Sequence, residues 1–437
     1  MPAASRADRH SHRGRKVGPD HRGCAQLSHP RHRRPGRGWP VILAADGRVV
    51  IVGAGQAGAW VARTLRDEGF TGEVTLIGAE AYHPYERPPL SKDVLKGADA
   101  ATTGALLTAG QAQALGITCL LSQTVTAIDR AMRQVTCVSG QTLPYDVLFL
   151  TTGSRPRPLP WPEGEGAERL HGLRTRDDAL RLRSALDGAQ SLAVIGGGLI
   201  GLEVAATARQ SGLEVTVIEA GPRLCARSLP PVASDWLADL HRQNGVSLRM
   251  GETVAGVQSD GLGVTLTLGD GATLRVDQVL VGIGILPETG LAQSAGLTLN
   301  DGIVVDAEGR TSDPAIFAAG DATRQPCPMG AAPLRQETWA NAQAQGIGAA
   351  RAALGLAPTR VKLPWFWSDQ YAANIQVLGR PDLAATCIEQ TAPTADTASW
   401  RMLDAAGTLV GAVAVNAPRA LRDVRKEMEK ARAAKQA

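Results

Sequence analysis

Val49-Val50-Ile51-Val52-Gly53-Ala54-Gly55-Gln56-Ala57-Gly58 reads as a strand, a glycine turn and the opening of a helix. A run of β-branched residues suits a strand covered on both faces, as in a parallel sheet. Gly53 allows the tight turn, Gly55 lets the backbone approach a diphosphate, and Gly58 lets the helix pack closely on its strand. The positive N-terminus of that helix then faces the diphosphate. A single G-x-G-x-x-G pattern is weak evidence, because glycine turns are common. This one returns roughly 140 residues later as Ala193-Val194-Ile195-Gly196-Gly197-Gly198-Leu199-Ile200-Gly201, again between a strand pattern and a helix pattern. Two such contexts in one chain imply two bound dinucleotides, and the obvious pair is FAD and NAD.

The residue that closes each unit separates the ligands, because an acidic side chain at the end of the second strand hydrogen-bonds the adenosine ribose. In the second unit Val215-Thr216-Val217-Ile218 ends in Glu219. Its carboxylate would accept from both hydroxyls of NADH and repel the 2′-phosphate of NADPH. NADH is therefore the expected coenzyme, with Arg223 near enough in sequence to soften the preference. In the first unit Val74-Thr75-Leu76-Ile77 ends in Gly78-Ala79-Glu80, which makes Glu80 the expected ribose partner. Further on, Thr311-Ser312-Asp313-Pro314-Ala315-Ile316-Phe317-Ala318-Ala319-Gly320-Asp321 sets a short buried strand before Gly-Asp. This resembles the second FAD motif of two-dinucleotide flavoproteins, in which the aspartate accepts a hydrogen bond from the ribityl chain. It assigns FAD to the first unit and NAD to the second.

From about Val49 to about Pro418 the chain resembles the FAD-dependent ferredoxin reductases of bacterial oxygenase systems, within the wider glutathione-reductase-like flavoproteins. The most specific stretches are Pro84-Tyr85-Glu86-Arg87-Pro88-Pro89-Leu90-Ser91-Lys92, Gly282-Ile283-Gly284, Arg335-Gln336-Glu337-Thr338-Trp339-Ala340-Asn341-Ala342 and Pro364-Trp365-Phe366-Trp367-Ser368-Asp369-Gln370-Tyr371. Reductases of ring-hydroxylating dioxygenases, such as the biphenyl type, are the more similar subgroup, since camphor-type reductases match the Glu-Thr-Trp segment less. The resemblance implies an α/β fold of two Rossmann-like dinucleotide-binding domains, each a three-layer ββα arrangement, plus a C-terminal α+β domain with an antiparallel sheet. It places the discontinuous FAD domain at 48–160 and 283–356, the NAD domain at 161–282 and the C-terminal domain at 357–437. Within the last of these, short alternating runs such as Asn374 to Leu378 and Leu409 to Val415 read as antiparallel strands.

The same resemblance implies the site residues. Lys92 sits near the reactive flavin nitrogen and stabilises the reduced, anionic ring; Glu203 orients the nicotinamide carboxamide; Trp339 lies against the stacked rings. Gly53, Gly55, Ala57, Gly58, Glu80, Arg87, Val125, Arg155 and Asp321 join Lys92 and Trp339 in the FAD set. Gly196, Gly198, Gly201, Glu219 and Gly284 join Glu203 in the NAD set. Two positions depart from the pattern: Ala79 stands where camphor-type reductases have an acid, which shifts the adenosine contact to Glu80, and Glu288 replaces a common asparagine. The cluster Trp365-Phe366-Trp367 would line the flavin side of a partner-docking surface.

Cys24, Cys119, Cys137, Cys225, Cys327 and Cys387 are all solitary. Local spacing builds neither the Cys-x4-Cys or Cys-x2-Cys pair of a disulfide reductase nor an iron-sulfur ligand set, and no metal site is expected. The stretch Tyr82 to Lys96, where single-cysteine peroxidases and oxidases carry their thiol, has none. Scattered thiols also suit a reducing cytoplasm.

Residues 1–47 stand apart, with ten Lys and Arg against three Asp and Glu, and five of the eight histidines. The remainder has thirty-six basic and thirty-nine acidic residues, so the formal charge of +4 belongs to this tail. It has no apolar periodicity and reads as a flexible extension or a start assigned too early, in preference to a nucleic-acid arm or a transit peptide, so no nucleic-acid partner is expected. No apolar run of 18 residues exists, which argues against a membrane span. At the other end, Arg419 to Lys430 alternates basic and acidic residues and reads as a solvated helix whose arginines could meet an acidic partner. The chain stops sooner after this helix than the family usually does.

A flavin accepts a hydride as two electrons and releases them singly. The resemblance therefore implies electron flow from NADH through FAD to a [2Fe-2S] ferredoxin of Rieske type that feeds an aromatic-ring dioxygenase or monooxygenase, in a cytoplasmic monomer or homodimer. Two other readings share the motifs: a rubredoxin reductase or diaphorase, and a redox-responsive binding protein similar to apoptosis-inducing factor.

Overall fold

The computed structural model describes residues 43–158, 167–359, 362–391, 394 and 396–436. The expected extension, apart from its last five residues, lies outside them, as do Cys24 and the expected boundary between Pro160 and Trp161.

The Val49 run is the central strand, Arg48–Val52, of a five-stranded parallel sheet. Its order is Ile316–Ala318, Val147–Leu150, Arg48–Val52, Glu73–Ile77 and Ile117–Leu120. Alternation along the strand sends side chains to two different layers. Val49 and Ile51 pack with Val61 and Leu65 of the helix Gln56–Asp67 and with Ala349 and Ala350 of the helix Trp339–Ala353. Val50 and Val52 pack instead with Val125, Val135 and Cys137 of an antiparallel sheet made by Val125–Asp129, Gln134–Cys137 and Thr142–Pro144. The result is the expected three-layer arrangement.

The second glycine motif follows the strand Ser191–Ile195, which is central in a second parallel sheet. Its order is Ser247–Met250, Glu214–Glu219, Ser191–Ile195, Gln278–Val281 and Leu170–His171. Helices Leu199–Gln210 and Pro231–Gln243 supply Leu202, Val204, Leu237 and Ala238 to the core on one face. On the other face Ala193, Ile195, Val279 and Val281 meet Val264, Leu266 and Leu268 of the antiparallel strands Val254–Ser259, Val264–Leu268 and Thr273–Val276. The two parallel sheets are joined by Ser154–Pro156 on the way out and Ile285–Pro287 on the way back, paired antiparallel. Ile316–Ala318 then completes the first sheet, with only Ala319 between it and Gly320-Asp321.

The last sheet is antiparallel, in the order Trp365–Gln370, Ala373–Gly379, Leu409–Val415, Ala398–Leu403 and Thr386–Thr391. One of its faces carries Ile375, Val377, Trp400, Met402 and Val413 into the core of the second unit. The other face carries Leu378, Ala412 and Ala414 onto the helix Pro418–Gln436. The expectation of a solvated terminal helix is corrected here. Leu421, Val424 and Met428 recur at helical spacing and are at most 6% exposed against this sheet, so the charged residues occupy only the outer arc.

Candidate functional site

Both glycine turns are shaped for something that is not protein. Gly53 has φ +110°, and a Cβ there would lie 2.2 Å from the Thr151 carbonyl oxygen. Gly196 repeats this with φ +106° and a Cβ 2.5 Å from the Gly282 carbonyl oxygen. Gly58 and Gly201 face their own turns closely, with a Cβ 2.1 Å from the Gly53 oxygen and 2.6 Å from the Gly196 oxygen respectively. The middle glycines differ in kind, for a Cβ at Gly55 or Gly198 would meet no protein atom within 4 Å. Each stands at the N-cap of its helix without a side-chain cap. Uncapped backbone N–H groups beside open space are what a diphosphate needs, so the residues present fit two dinucleotides.

A cavity of about 760 Å³ runs from the first glycine turn to the C-terminal sheet. Gly53, Gly55, Ala57, Glu80, Arg87, Lys92, Asp321, Trp339 and Glu203 all line it, as do Trp365, Phe366 and Trp367. Val125 does not, being buried at the start of its strand among core residues. Arg155 does not either, since its exposed guanidinium pairs with Glu288 at 3.1 Å on the antiparallel crossover. Gly284 stands at the turn into the return strand, where its carbonyl accepts from Arg157 N at 3.0 Å.

Around the first unit the polar groups are linked in two sets. Glu80, at the end of Glu73–Ile77 and its turn, accepts from Arg87 at 2.9 Å and from the Tyr85 hydroxyl. Burial pushes the Tyr85 phenol well above its ordinary pKa, so it remains a donor. Asp321 accepts from Ser154 Oγ at 2.9 Å and from Arg174 at 3.1 Å. Arg174 arrives from the second unit and also donates to the Ser154 carbonyl; burial lowers its pKa.

Lys92 and Glu203 meet at the far side of the cavity. Lys92 follows the short helix Pro88–Ser91 of the proline-rich loop, and Glu203 is one turn into the helix Leu199–Gln210. Their charged atoms are 3.3 Å apart, with exposures of 15% and 4%. The Ser91 hydroxyl also donates to the carboxylate, and Ser368 donates to its other oxygen at 2.7 Å. Asp369 lies 3.9 Å from the lysine. Trp339 opens its helix with the ring edge-on to Trp367 at 5.6 Å, and Trp367 stacks on Trp365 at 5.3 Å. The aromatic cluster is therefore a continuous apolar wall at one end of the cavity.

In the second unit Glu219 ends its strand and accepts from the backbone N–H groups of Gly197 and Gly221, both at 2.6 Å. Arg223, expected to soften the coenzyme preference, is committed elsewhere: it donates to the carbonyls of Leu229 and Ala226 and to Ser234 Oγ. Cys225, packed beneath Gly197, has its pKa pushed up to about 12 by burial.

The sequence does not mark Tyr85, Ser91, Arg174 or Ser368 as site residues. Tyr85 and Ser91 fall inside the proline-rich stretch and Ser368 inside the stretch from Pro364 to Tyr371, but nothing in their spacing announces a partner in another unit. Arg174 has no local signal at all. Among the described residues no group of His, Cys, Asp and Glu is arranged to hold a metal ion, and no helix is long and apolar enough to cross a membrane.

Residues 47–346 match the family described as pyridine nucleotide-disulphide oxidoreductase, and residues 365–437 match the reductase C-terminal family. The chain is 41% identical, over 85% of its length and 90% of the relative's, to the ferredoxin–NAD(+) reductase component of the p-cumate 2,3-dioxygenase system of Pseudomonas putida. It is 40% identical, over 84% of its length and 90% of the relative's, to that component of the anthranilate 1,2-dioxygenase system of Burkholderia cepacia. In structure it is similar to the reductase in a covalent putidaredoxin reductase–putidaredoxin complex, with a TM-score of 0.84, 36% identity and coverage of 88% of this chain and 93% of that one. Two glycine turns open to dinucleotides, a cavity that runs from the first of them to Glu203 and the C-terminal sheet, and these likenesses lead to one conclusion: the chain belongs to the pyridine nucleotide-disulphide oxidoreductase family, as a FAD- and NADH-dependent reductase of the ferredoxin–NAD(+) type.

Proposed function

We propose that this chain takes hydride from NADH and delivers the electrons singly to a [2Fe-2S] ferredoxin of Rieske type serving an aromatic-ring dioxygenase or monooxygenase. The observation that carries the reading is the single cavity that joins the first glycine turn, the Lys92–Glu203 pair and the tryptophan wall of the C-terminal sheet. Hydride entry and one-electron exit both need access to one redox centre, and this cavity is bordered by all three units. FAD, when bound, supplies the change from two-electron to one-electron chemistry.

The protein's part is positioning and electrostatics. Gly53, Gly55, Ala57, Gly58, Glu80, Arg87, Asp321 and Trp339 would hold FAD, with residues 48–160 and 283–356 as its domain. Gly196, Gly198, Gly201, Glu219 and Gly284 would hold NADH in residues 161–282. Lys92 brings a fixed positive charge to the cavity, where low exposure strengthens its field. Glu203 keeps that ammonium in place and presents a carboxylate edge to a carboxamide. The apolar tryptophan wall excludes water from the same end. Val125 and Arg155 enter this reading only as supports of the first unit and of the crossover.

The compartment in this reading is the cytoplasm, where NADH is supplied and free thiols such as Cys119, Cys137, Cys225, Cys327 and Cys387 stay reduced. The test is anaerobic stopped-flow mixing of the yellow protein with NADH, then with an oxidised [2Fe-2S] ferredoxin. Rapid bleaching followed by one-electron transfer supports the proposal. Transfer to rubredoxin or dyes alone points to the diaphorase reading, and a long-lived reduced complex that changes oligomeric state points to a redox-responsive binding protein.

A further inference from the structure

The polar contacts of Glu203 continue well beyond Lys92. Ser368 Oγ donates to Glu203 Oε1 at 2.7 Å, and Gln370 Nε2 donates to Ser368 Oγ at 3.0 Å. Gln370 Oε1 faces His241 Nε2 at 2.7 Å, and the Tyr371 hydroxyl lies 3.3 Å from His241 Nδ1. Ser368, Gln370 and His241 are each at most 1% exposed, so none of them can exchange its partner for bulk water.

The donors in this chain all run in one direction. An amide nitrogen can only donate, so Gln370 occupies a lone pair of Ser368 and leaves the serine hydrogen to the carboxylate. The amide oxygen can only accept, so His241 carries its proton on Nε2 and accepts from Tyr371 on Nδ1. This tautomer is the one that satisfies every member. Burial lowers the pKa of His241 and keeps the ring neutral. Aligned donors polarise one another, and here their combined effect falls on a charged acceptor.

The topology makes the chain a bridge between units. Ser368 and Gln370 are two apart on the strand Trp365–Gln370 and share its buried face. Glu203 and His241 belong to two different helices of the second unit, Leu199–Gln210 and Pro231–Gln243. Lys92 and Ser91 hold one carboxylate oxygen from the first unit, and Ser368 holds the other from the C-terminal sheet.

We propose that Ser368 and Gln370 are positioning residues for the hydride step, which set the orientation of Glu203 through a one-way chain of donors beginning at Tyr371 and His241. The inference rests on the reading of Glu203 as the group that faces the nicotinamide carboxamide. It gives the C-terminal sheet a part in NADH oxidation, in addition to any part in partner docking.

Two measurements test it. Nitrogen-15 NMR of histidine, with His241 assigned by its loss in His241→Gln, reports the tautomer without any turnover; a neutral ring protonated on Nε2 is expected, and a proton on Nδ1 would reverse the chain and overturn the proposal. Stopped-flow reduction per bound FAD is then compared among Ser368→Ala, Ser368→Thr and Tyr371→Phe. Losing a hydroxyl donor to a buried carboxylate should lower the limiting rate at saturating NADH by about 10- to 100-fold in Ser368→Ala. Ser368→Thr, which keeps the hydroxyl, should recover to within about 3-fold, and Tyr371→Phe should fall by about 2- to 5-fold. A limiting rate unchanged in Ser368→Ala overturns the proposal. If that variant loses FAD, Tyr371→Phe decides instead, and an unchanged rate there has the same consequence. A wild-type protein that NADH does not reduce would sink the reductase reading, while the tautomer of His241 would still judge the chain.

Discussion

Lys92 Nζ and Glu203 Oε2 lie 3.3 Å apart, one on a loop of the first parallel-sheet unit and the other on a helix of the second. The carboxylate is 4% exposed, and a buried carboxylate without its cation is costly. Lys92→Met should therefore destabilise the protein by about 2–3 kcal/mol, at the low end because the lysine keeps some solvent. Lys92→Met with Glu203→Gln should be more stable than the sum of the single changes. Denaturant midpoints of the four proteins give the coupling directly, and strict additivity would contradict it.

The middle glycines should separate folding from ligand binding. At Gly55 and at Gly198 an added Cβ meets no protein atom within 4 Å, so Gly55→Val and Gly198→Val should fold normally by circular dichroism. Gly55→Val should lose FAD during purification. Gly198→Val should stay yellow and show a dissociation constant for NADH raised by about 100-fold, because a side chain there occupies the diphosphate's approach. Gly53→Val should instead fail to fold, since its Cβ would lie 2.2 Å from the Thr151 oxygen.

Coenzyme choice should depend on Glu219 and hardly on Arg223. The carboxylate is aimed by two backbone N–H groups at 2.6 Å, whereas the arginine is tied to Leu229, Ala226 and Ser234. Glu219→Ala should reduce the NADH:NADPH ratio of kcat/KM by about 10- to 100-fold, the worth of hydrogen bonds to a charged group. Steady-state kinetics with both coenzymes measures this, and a ratio unchanged in Glu219→Ala but moved in an Arg223 variant would reverse the assignment.

Cys225 should be inert in the native protein. Burial raises its pKa to about 12, so the thiolate needed for reaction is scarce at any physiological pH. Raising the pH from 7 to 9 should leave it unmodified by iodoacetamide, with labelling appearing only once the fold is lost in denaturant. Peptide mapping by mass spectrometry reads the outcome.

What was legible in the sequence came from local rules. The two glycine turns, Glu219 at a strand end and the Gly320-Asp321 segment each consist of residues whose chemistry and spacing lie within one supersecondary unit. The C-terminal strands around Asn374 and Leu409 showed the same clarity. The terminal helix reads as solvated in sequence because its alternating charges outnumber Leu421, Val424 and Met428, and only the sheet beneath them reveals that these three form a buried stripe. Val125 and Arg155 were placed by resemblance, and the cavity does not reach either.

The sequence by itself determined that the chain forms two strand–turn–helix units able to cradle diphosphates, because backbone conformation at glycine and the period of β-branched residues are local properties. Only the tertiary structure decided which side chains share an environment. Arg174 reaches Asp321, Ser368 reaches Glu203, and His241 reaches Gln370 across the boundaries between units. A hydrogen bond or ion pair depends on distances of about 3 Å, and residues more than a hundred positions apart acquire such distances only when their sheets and helices pack.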